Sequence, residues 1–499
     1  MPETQTTEDA EDAKAAAEDD RSRSVLVNTG WLIGSRLAQA VLGWGGTLLI
    51  ARTMSLEEFG RFTTIFTVLG LMVIVTDMGI GRIAVRGMLG EDDTLPGAAT
   101  DPVHFAGAYI GLRSLLGVVG YVLVLLVVTF LGYPMEVVGA TAVAGIVIVL
   151  STPSSALDVV FQARLQMGIV SAAGVAGLVA QFALTAAIAA AGGSLLLFII
   201  PAVLCQVVVL SWKIPAARRL LPIRLIVDWT LWKRLLREAL PLTLGIGLAT
   251  VYYRVDALML SKLDGFDAVG VYGVSYKFVD LLQFAATAVT VPLLTVLVQS
   301  WPGDPSAFRA AGRRAAMLLG VLGGLAIVGL VGFATPLTTS LYGAGYAVGD
   351  DATRLLVVAT TLALFGSLAM TCLVAVGRNR GYPLVMLTGL VLNVGANLVL
   401  IPRYSYHGAA AATLASEVVV LALLLTLLLR HGELRPLGLG RLVVMPLAIG
   451  VGLGVGYAGD LVLPWVLAAG LAAAAFVAVA VLGGLTRAAG LGLPRRRTA

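Results

Sequence analysis

Charged residues are scarce in this 499-residue chain, in which Asp, Glu, Lys and Arg make up only 13% of positions. Soluble proteins of average composition carry about 25%, so a soluble globular enzyme is excluded. Cysteine and histidine are scarcer still, with two and three copies, and neither has the spacing of a metal site. No Gly-Lys-Ser or Gly-Lys-Thr run occurs, so a P-loop for ATP is excluded and no cofactor is expected.

Hydrophobic residues make up 58% of the chain. They form repeated apolar runs, each long enough to cross a bilayer as a helix of about 18 residues or more. This pattern predicts an all-α polytopic membrane protein with about fourteen transmembrane helices. The helices are expected near residues 25–50, 59–83, 104–131, 136–160, 167–191, 193–212, 240–262, 270–298, 311–333, 353–376, 382–401, 407–429, 442–460 and 463–486.

The distribution of basic residues predicts how these helices are oriented. With the N-terminus inside the cell, most of the 34 Lys and Arg residues fall in cytoplasmic segments, as the positive-inside rule requires. Both termini are therefore expected in the cytoplasm. The excess of Arg, Ala, Gly and Val suggests a bacterial source, and hence the bacterial plasma membrane. The net charge of +5 resides in these loops and does not indicate nucleic acid as a partner.

Composition shifts divide the chain into six predicted segments. The N-terminal segment is rich in acids and poor in large apolar residues, so it is expected to be disordered. The predicted segments are an acidic cytoplasmic tail (1–23), an N-lobe of helices one to six (24–212), a cytoplasmic amphipathic linker (213–239), a C-lobe of helices seven to twelve (240–430), helices thirteen and fourteen (431–486), and a basic cytoplasmic tail (487–499).

The predicted linker contains the run DWTLWKRLLREAL at 228–240. Helical spacing puts Trp229, Trp232, Leu236 and Ala239 on one face. Three basic residues lie elsewhere on the same helix, namely Lys233, Arg234 and Arg237. This pattern is typical of an interfacial helix with aromatic anchors that attracts anionic membrane lipids. A tether without lipid specificity is the alternative.

Two short segments indicate an internal repeat. Residues 51–62 and 261–272 align at a constant offset of 210 positions. In each, a basic residue ends one helix, an acidic turn follows, and Gly-x-aromatic opens the next helix. The matched positions are Arg52, Glu57, Gly60 and Phe62 in the first and Lys262, Asp267, Gly270 and Tyr272 in the second. A duplication of six-helix halves would put the substrate site between them. A generic helix–turn–helix solution is the alternative.

Nine ionisable residues are expected at membrane depth. They are Arg36, Arg113, Arg254, Lys277, Asp77, Asp158, Asp256, Asp280 and Glu417. Each such side chain costs about 2.5 to 3.5 kcal/mol to insert, so it is expected to face water, a partner or a ligand. The hairpin 250–283, with a turn at Leu263–Asp267, carries four of them and is predicted to line an internal aqueous cavity.

The charged positions allow more than one interpretation. Arg254 and Asp256 are two residues apart and point in different directions, so they need separate partners. Lys277 and Asp280 share a helical face and are able to neutralise each other. Snorkelling to the interface is an alternative for Arg113 and Asp158, and helix capping is one for Asp77. Outside the hairpin, Glu417 is the strongest candidate for a residue that carries a proton or a cation.

Four stretches carry a family resemblance. Residues 49–86, 253–282, LYGAGY at 341–346 and 393–417 resemble signatures of the polysaccharide transporters, or Wzx-type flippases, of the MOP exporter superfamily. Its relatives include lipid II flippases and MATE exporters. The resemblance implies two six-helix lobes in a V around a central cavity. It also implies that cavity arginines meet a pyrophosphate, a role open here to Arg36, Arg254 and Lys277, with Arg113 as a further candidate.

The resulting prediction is a flippase, not an enzyme. It would carry a polyprenyl-pyrophosphate-linked oligosaccharide to the outer leaflet by alternating access, driven by the membrane potential or by H⁺ or Na⁺. Asp77, Asp256, Asp280 and Glu417 would form its coupling or charge network. Glycosyltransferases or a polymerase of the same pathway are the expected protein partners.

Three alternatives remain open. A drug or organic-cation antiporter of the MATE type would use Asp256, Asp280 and Glu417 as substrate contacts. A peptidoglycan-precursor flippase of the lipid II type is favoured by two helices beyond a twelve-helix core, which in those relatives accompany a groove for the lipid tail. A membrane scaffold that recruits cell-wall enzymes would depend on the acidic tail.

Overall fold

The computed structural model describes residues 34–35, 38–88, 101–164, 166–430 and 443–484, with backbone only at 241, 242 and 246. The predictions that fall on Arg36 and on the two tails, 1–23 and 487–499, lie outside the described residues.

The described residues form helices joined by short turns. Helix α1 spans 38–53. The others are α2 (Leu56–Leu71), α3 (Val73–Thr76), α4 (Ile80–Met88), α5 (Pro102–Phe130), α6 (Met135–Ala163), α7 (Met167–Ala191), α8 (Leu195–Leu220), α9 (Trp229–Tyr252), α10 (Val255–Leu263), α11 (Phe266–Ser300), α12 (Pro305–Ala326), α13 (Ala334–Tyr342), α14 (Asp350–Ala375), α15 (Tyr382–Arg430), α16 (Val444–Asp460) and α17 (Trp465–Leu482). A π-helical turn (Ile327–Val331) follows α12, and a 3₁₀ helix (Ala344–Gly349) precedes α14.

The all-α polytopic class is confirmed, and the chain is a multi-pass membrane protein. Ten of the described helices are long and apolar enough to cross a membrane, or eleven if the bent helix α9 is counted. The predicted count of fourteen is not confirmed. One reason is that α15 runs through two predicted helices, with only Ser405 (φ 54°) leaving helical geometry between them.

Two predicted helices are broken in the structure. The predicted helix 59–83 stops after Thr76, where Met78 (φ 48°) and Gly79 (φ 68°) adopt left-handed backbone before α4 begins. Glycine accepts that conformation at little cost, whereas methionine does not. The predicted helix 240–262 breaks between Tyr252 and Val255, so α9 and α10 are separate. Discontinuous membrane helices free backbone groups at depth and often mark sites for ions or substrates.

The chain divides into two compact units. The first comprises Met1–Thr53 and Val75–Leu240, and the second comprises Met54–Ile74 and Pro241–Ala499. The first has a core built around Phe105, Tyr109 and Phe161. The predicted lobes and their boundaries stay a prediction.

The linker in the first unit is fastened to α5. Residues 221–228 have no helical structure, and the Ile226 N–H donates to the Gly107 carbonyl over 3.4 Å. A Cβ on Gly107 would lie 2.2 Å from the Arg224 carbonyl oxygen, so only glycine permits this approach. Asp228 caps α9 and contacts His104 at 3.1 Å. The Leu231 N–H, and after it His104, hold the pKa of the Asp228 carboxyl below its usual range.

The predicted aromatic anchor of the linker is wrong for Trp232. Its side chain is buried, and its Nε1–H donates to the Ala108 carbonyl over 2.8 Å. A buried indole needs such a partner, and α5 supplies it. Trp229 is 62% exposed and is the tryptophan of this run that remains on the surface.

In the second unit, the two predicted repeat segments contact each other. α2 crosses α11 so closely that a Cβ on Gly60 would lie 1.7 Å from the Phe266 carbonyl oxygen. A Cβ on Gly270 would lie 2.2 Å from the Leu56 carbonyl oxygen. Leu56 and Phe266 are 210 positions apart, as are Gly60 and Gly270. The contact is therefore reciprocal between matched positions, which supports a duplication.

Candidate functional site

The break between α9 and α10 sends Arg254 and Asp256 to different neighbours. Arg254 is the N-cap residue of α10 and has non-helical backbone (φ −133°), whereas Asp256 lies in the first turn of that helix. Arg254 pairs with Asp280 of α11, and Asp256 is bound by hydroxyl groups. The prediction that these two residues need separate partners is confirmed, as is the turn after Leu263.

Two cations share one carboxylate on this side of the second unit. Arg254 Nη2 lies 3.5 Å from Asp280 Oδ1, and Lys277 Nζ lies 3.9 Å from Asp280 Oδ2. Both distances exceed those of a charge-assisted hydrogen bond, which are about 2.7 to 2.9 Å. The three side chains are 30 to 42% exposed. This group, the basic triad, carries a net charge of +1 and is loosely paired.

Asp256 differs from the loosely paired basic triad, because its carboxylate is 1% exposed and both of its oxygens accept hydrogen bonds. Its Oδ2 accepts hydrogen bonds from the hydroxyls of Tyr272 (2.7 Å), Tyr276 and Thr413 (3.3 Å). Its Oδ1 accepts the Ala257 N–H over 2.8 Å. Four donors compensate the burial of a single negative charge, since no basic side chain contacts it among the described ion pairs.

Tyr276 touches both groups. Its hydroxyl donates to Asp256 Oδ2, and the guanidinium carbon of Arg254 lies 6.0 Å from its ring centroid. That distance is at the limit of a cation–π contact. A single phenol therefore connects the basic triad with the buried acid.

A polar cluster on α15 continues from Asp256. Asn393 Nδ2 donates to Thr413 over 3.5 Å and to Ser416 over 3.2 Å, and Asn397 Nδ2 donates to Asn393 Oδ1 over 2.8 Å. The Asn397 Oδ1 atom is buried and has no hydrogen-bond donor among the residues that the structure describes. Sequence reasoning missed this cluster, although two asparagines one turn apart in an apolar run are a readable signal of a shared polar face.

Glu417 lies at the far side of the same cluster. It is 3% exposed and lies beside Tyr252, whose hydroxyl donates to Ser416 over 3.2 Å. A chain of polar side chains therefore joins Asp256 and Glu417 inside the second unit.

The first unit has its own charged cavity of about 380 Å³. Arg113 Nη1 donates to the carboxylate of Asp77 (2.9 Å) and to its carbonyl (3.0 Å), while Nη2 donates to Ser155 over 2.7 Å. Snorkelling is wrong for Arg113, because its side chain is 4% exposed and holds the break at the end of α3. Its role in binding substrate stays a prediction.

Asp158 is paired in the same cavity. Its Oδ1 lies 2.6 Å from Nζ of Lys213, which also contacts the Ser154 carbonyl at 3.5 Å. Lys213 is the first residue of the predicted linker (213–239), and that helix boundary is wrong, since Lys213 lies within α8 and is 5% exposed. Snorkelling of Asp158 is therefore replaced by a specific ion pair.

Comparisons with known proteins agree with this fold. A family model described as "Polysaccharide biosynthesis protein" matches residues 25–301, more than half of the chain. A comparison with curated protein sequences returns no match.

Three solved structures show the same architecture. The lipid II flippase MurJ in an inward closed conformation has a TM-score of 0.74 at 13% identity, over 91% of this chain and 98% of that one. An inward-facing multidrug resistance MATE family transporter of the MOP superfamily has a TM-score of 0.63 at 14% identity, over 80% and 95%. A MOP superfamily transporter from Pyrococcus furiosus, described as having a binding pocket of reverse polarity, has a TM-score of 0.55 at 16% identity, over 81% and 94%. The predicted superfamily resemblance is confirmed, and at these identities the structures establish the fold alone.

Proposed function

This chain belongs to the polysaccharide biosynthesis protein family, and on that premise we propose that it is a flippase for a lipid-linked oligosaccharide. It moves a polyprenyl-(pyro)phosphate-linked glycan from the inner to the outer leaflet of the bacterial plasma membrane by alternating access. The product serves cell-surface polysaccharide or cell-wall synthesis. Two lobes of six helices around a central cavity, and two cytoplasmic termini, are parts of the same proposal.

The observation that carries the proposal is the basic triad. Asp280 is one carboxylate shared by Arg254 and Lys277 at loose distances, so one positive charge remains uncompensated. A pyrophosphate dianion offers stronger, bidentate acceptors to a guanidinium than a single distant carboxylate does. Asp280 then occupies the place of the pyrophosphate and partly neutralises Arg254 and Lys277 until the headgroup binds.

Removing either cation of the basic triad is expected to cut export at least about tenfold, because a lost charge-assisted contact is worth about 1.5 to 3 kcal/mol. The variants are Arg254→Ala and Lys277→Ala, and the matched control is Arg313→Ala, an exposed cation of α12. The measurement is accumulation of the inner-leaflet lipid-linked glycan in cells whose own gene is deleted, with expression levels matched. Full export by both variants would contradict the proposal.

Neutralising Asp280 separates the flippase from the antiporter. In the flippase, Asp280→Asn removes the competitor for Arg254 and Lys277, so affinity for a pyrophosphate should rise by about threefold or more. In a MATE-type antiporter, the same change removes a substrate contact and abolishes binding of an organic cation. Binding of farnesyl pyrophosphate and of a lipophilic cation dye to the purified variant distinguishes the two outcomes.

The same proposal assigns energy coupling to a monovalent cation, H⁺ or Na⁺, at Asp256. The support is the group of hydroxyl oxygens around a buried carboxylate at a helix break, which belong to Tyr272, Tyr276 and Thr413. Glu417 and Asp77 complete the proposed charge network. A lipid II-type headgroup remains within this proposal, since lipid II also carries a pyrophosphate. Anionic membrane lipids and enzymes of the same pathway are the proposed partners.

A further inference from the structure

We propose that Tyr276 couples the charge of Asp256 to the anion affinity of Arg254 and Lys277. This inference rests on the proposed function and adds the residue through which a bound cation is communicated to the headgroup site. Tyr276 is a positioning residue here, because it is not proposed to contact the headgroup. Within the basic triad, its ring is near Arg254.

The first step is that Tyr276 is the side chain common to both groups. Its hydroxyl donates to Asp256 and has a second acceptor within reach, the Tyr253 carbonyl at 3.5 Å. The Arg254 guanidinium carbon lies 6.0 Å from the Tyr276 ring centroid, at the limit of a cation–π contact. Among the described hydrogen bonds and ion pairs, Arg254 and Asp256 have no direct contact with each other. Tyr276 therefore provides the shortest described path between them.

The second step is that the neighbouring phenol lacks this property. Tyr272 donates to the same Asp256 Oδ2 over 2.7 Å, but it is fully buried and its ring contacts Tyr276 at 5.0 Å rather than a cation. Within the described part of the chain, Tyr272 and Tyr276 are thus chemically equal donors to one carboxylate, and of these two Tyr276 has the ring near Arg254. Tyr272 is a built-in control.

The third step is electrostatic. A phenol that donates to a carboxylate is polarised toward its oxygen, which makes the ring face more negative and holds Arg254 more firmly. A proton or Na⁺ on Asp256 neutralises that carboxylate, so the hydroxyl turns toward the Tyr253 carbonyl and the ring releases the guanidinium. Arg254 is then free to bind an anion. Cation and anion binding favour each other, and the effect is reciprocal.

Other charged groups near Asp256 belong to three helices. On α11 the titratable groups facing it are Tyr272 and Tyr276, with Lys277 and Asp280 on the next turn. On α15, the hydroxyl of Thr413 donates to Asp256, and the nearest titratable group along the helix from Thr413 is Glu417, one turn further. The helix α2 also packs against α10, and its ionisable residues have described contacts with Ser55, Phe266 and each other; they are Glu57, Glu58 and Arg61.

The test compares Tyr276→Phe with Tyr272→Phe in the purified full-length protein. Each variant loses one hydroxyl on Asp256 and keeps its ring. The measured quantity is the Kd for farnesyl pyrophosphate, with farnesol as the uncharged control, in NaCl against choline chloride and over a pH series. The wild type is expected to bind about fivefold more tightly when Asp256 is loaded. Tyr276→Phe should reduce that ratio to near one, and Tyr272→Phe should keep it.

A second variant tests the coupling with a result that an unfolded protein would not give, namely tight binding. Asp256→Asn mimics the neutral acid, so it should bind farnesyl pyrophosphate with the loaded affinity under every cation condition. The salt arm and the pH arm show which cation acts, because Na⁺ changes the first and H⁺ the second.

Three outcomes overturn the coupling. The first is that Tyr276→Phe keeps the wild-type ratio, the second is that Tyr272→Phe loses it equally, and the third is that the wild type binds with the same Kd in all conditions. In each case the proposed flippase stands. A wild type that does not bind farnesyl pyrophosphate at all overturns the proposed function, and the coupling with it.

Discussion

A single methyl group added at Gly60 is expected to destabilise the protein by about 3 kcal/mol, at the upper end of the usual cost of overpacking. The added Cβ would lie 1.7 Å from the Phe266 carbonyl oxygen and 3.0 Å from the Gly270 nitrogen. Both neighbours are backbone atoms, so no side chain is able to rotate away. α2 and α11 would have to separate to accept it.

The matched control lies in the same helix. A Cβ on Gly70 has no atom within 4 Å, so Gly70→Ala should leave stability unchanged or raise it by up to about 1 kcal/mol. Thermal unfolding of the two variants in detergent micelles measures the difference. The reciprocal contact predicts that Gly270→Ala behaves like Gly60→Ala. Equal melting temperatures for Gly60→Ala and Gly70→Ala would show that the close crossing does not exist in solution.

This crossing also shows how far the sequence was informative. The matched segments 51–62 and 261–272 predicted a repeat from residue types alone, and the turn was predicted at Leu263–Asp267, where the acidic, glycine-containing run follows Leu263. Nothing in either segment predicted that the two glycines contact each other. The sequence indicates which face of a helix carries small residues, whereas the helix that packs against that face depends on tertiary structure.

For the charged residues too, the sequence predicted some features of their surroundings and not others. The two-residue spacing of Arg254 and Asp256 predicted separate partners, because side chains two apart on a helix point in different directions. It did not predict that Tyr276 lies between them, since that contact joins α10 to α11 across a turn. The predicted helix 193–212 ends just before Lys213, which the structure instead places within α8. Its carboxylate partner belongs to a different helix, 55 positions earlier in the chain.

The ion pair of Asp158 with Lys213 should be the more costly of two equally short pairs to break. Lys213 Nζ lies 2.6 Å from Asp158 Oδ1, and Arg354 Nη1 lies 2.6 Å from Asp351 Oδ1. Lys213 is 6% exposed, whereas Asp351 is 70% exposed. Asp158→Asn leaves a buried ammonium without a counter-charge and should cost about 3 kcal/mol. Asp351→Asn removes a hydrated, screened pair and should cost less than about 1 kcal/mol.

The cost of breaking each pair is expected to depend on its burial rather than on its length, and a double variant tests this. Asp158→Leu combined with Lys213→Met removes both charges of the pair, so it should recover most of the stability that either single change loses. Unfolding in detergent at low and high salt provides the measurement, because salt weakens the exposed pair and leaves the buried one almost unchanged. If Asp158→Asn and Asp351→Asn prove equally mild, the Lys213 ammonium is hydrated, and its burial within α8 does not set the cost of breaking the pair.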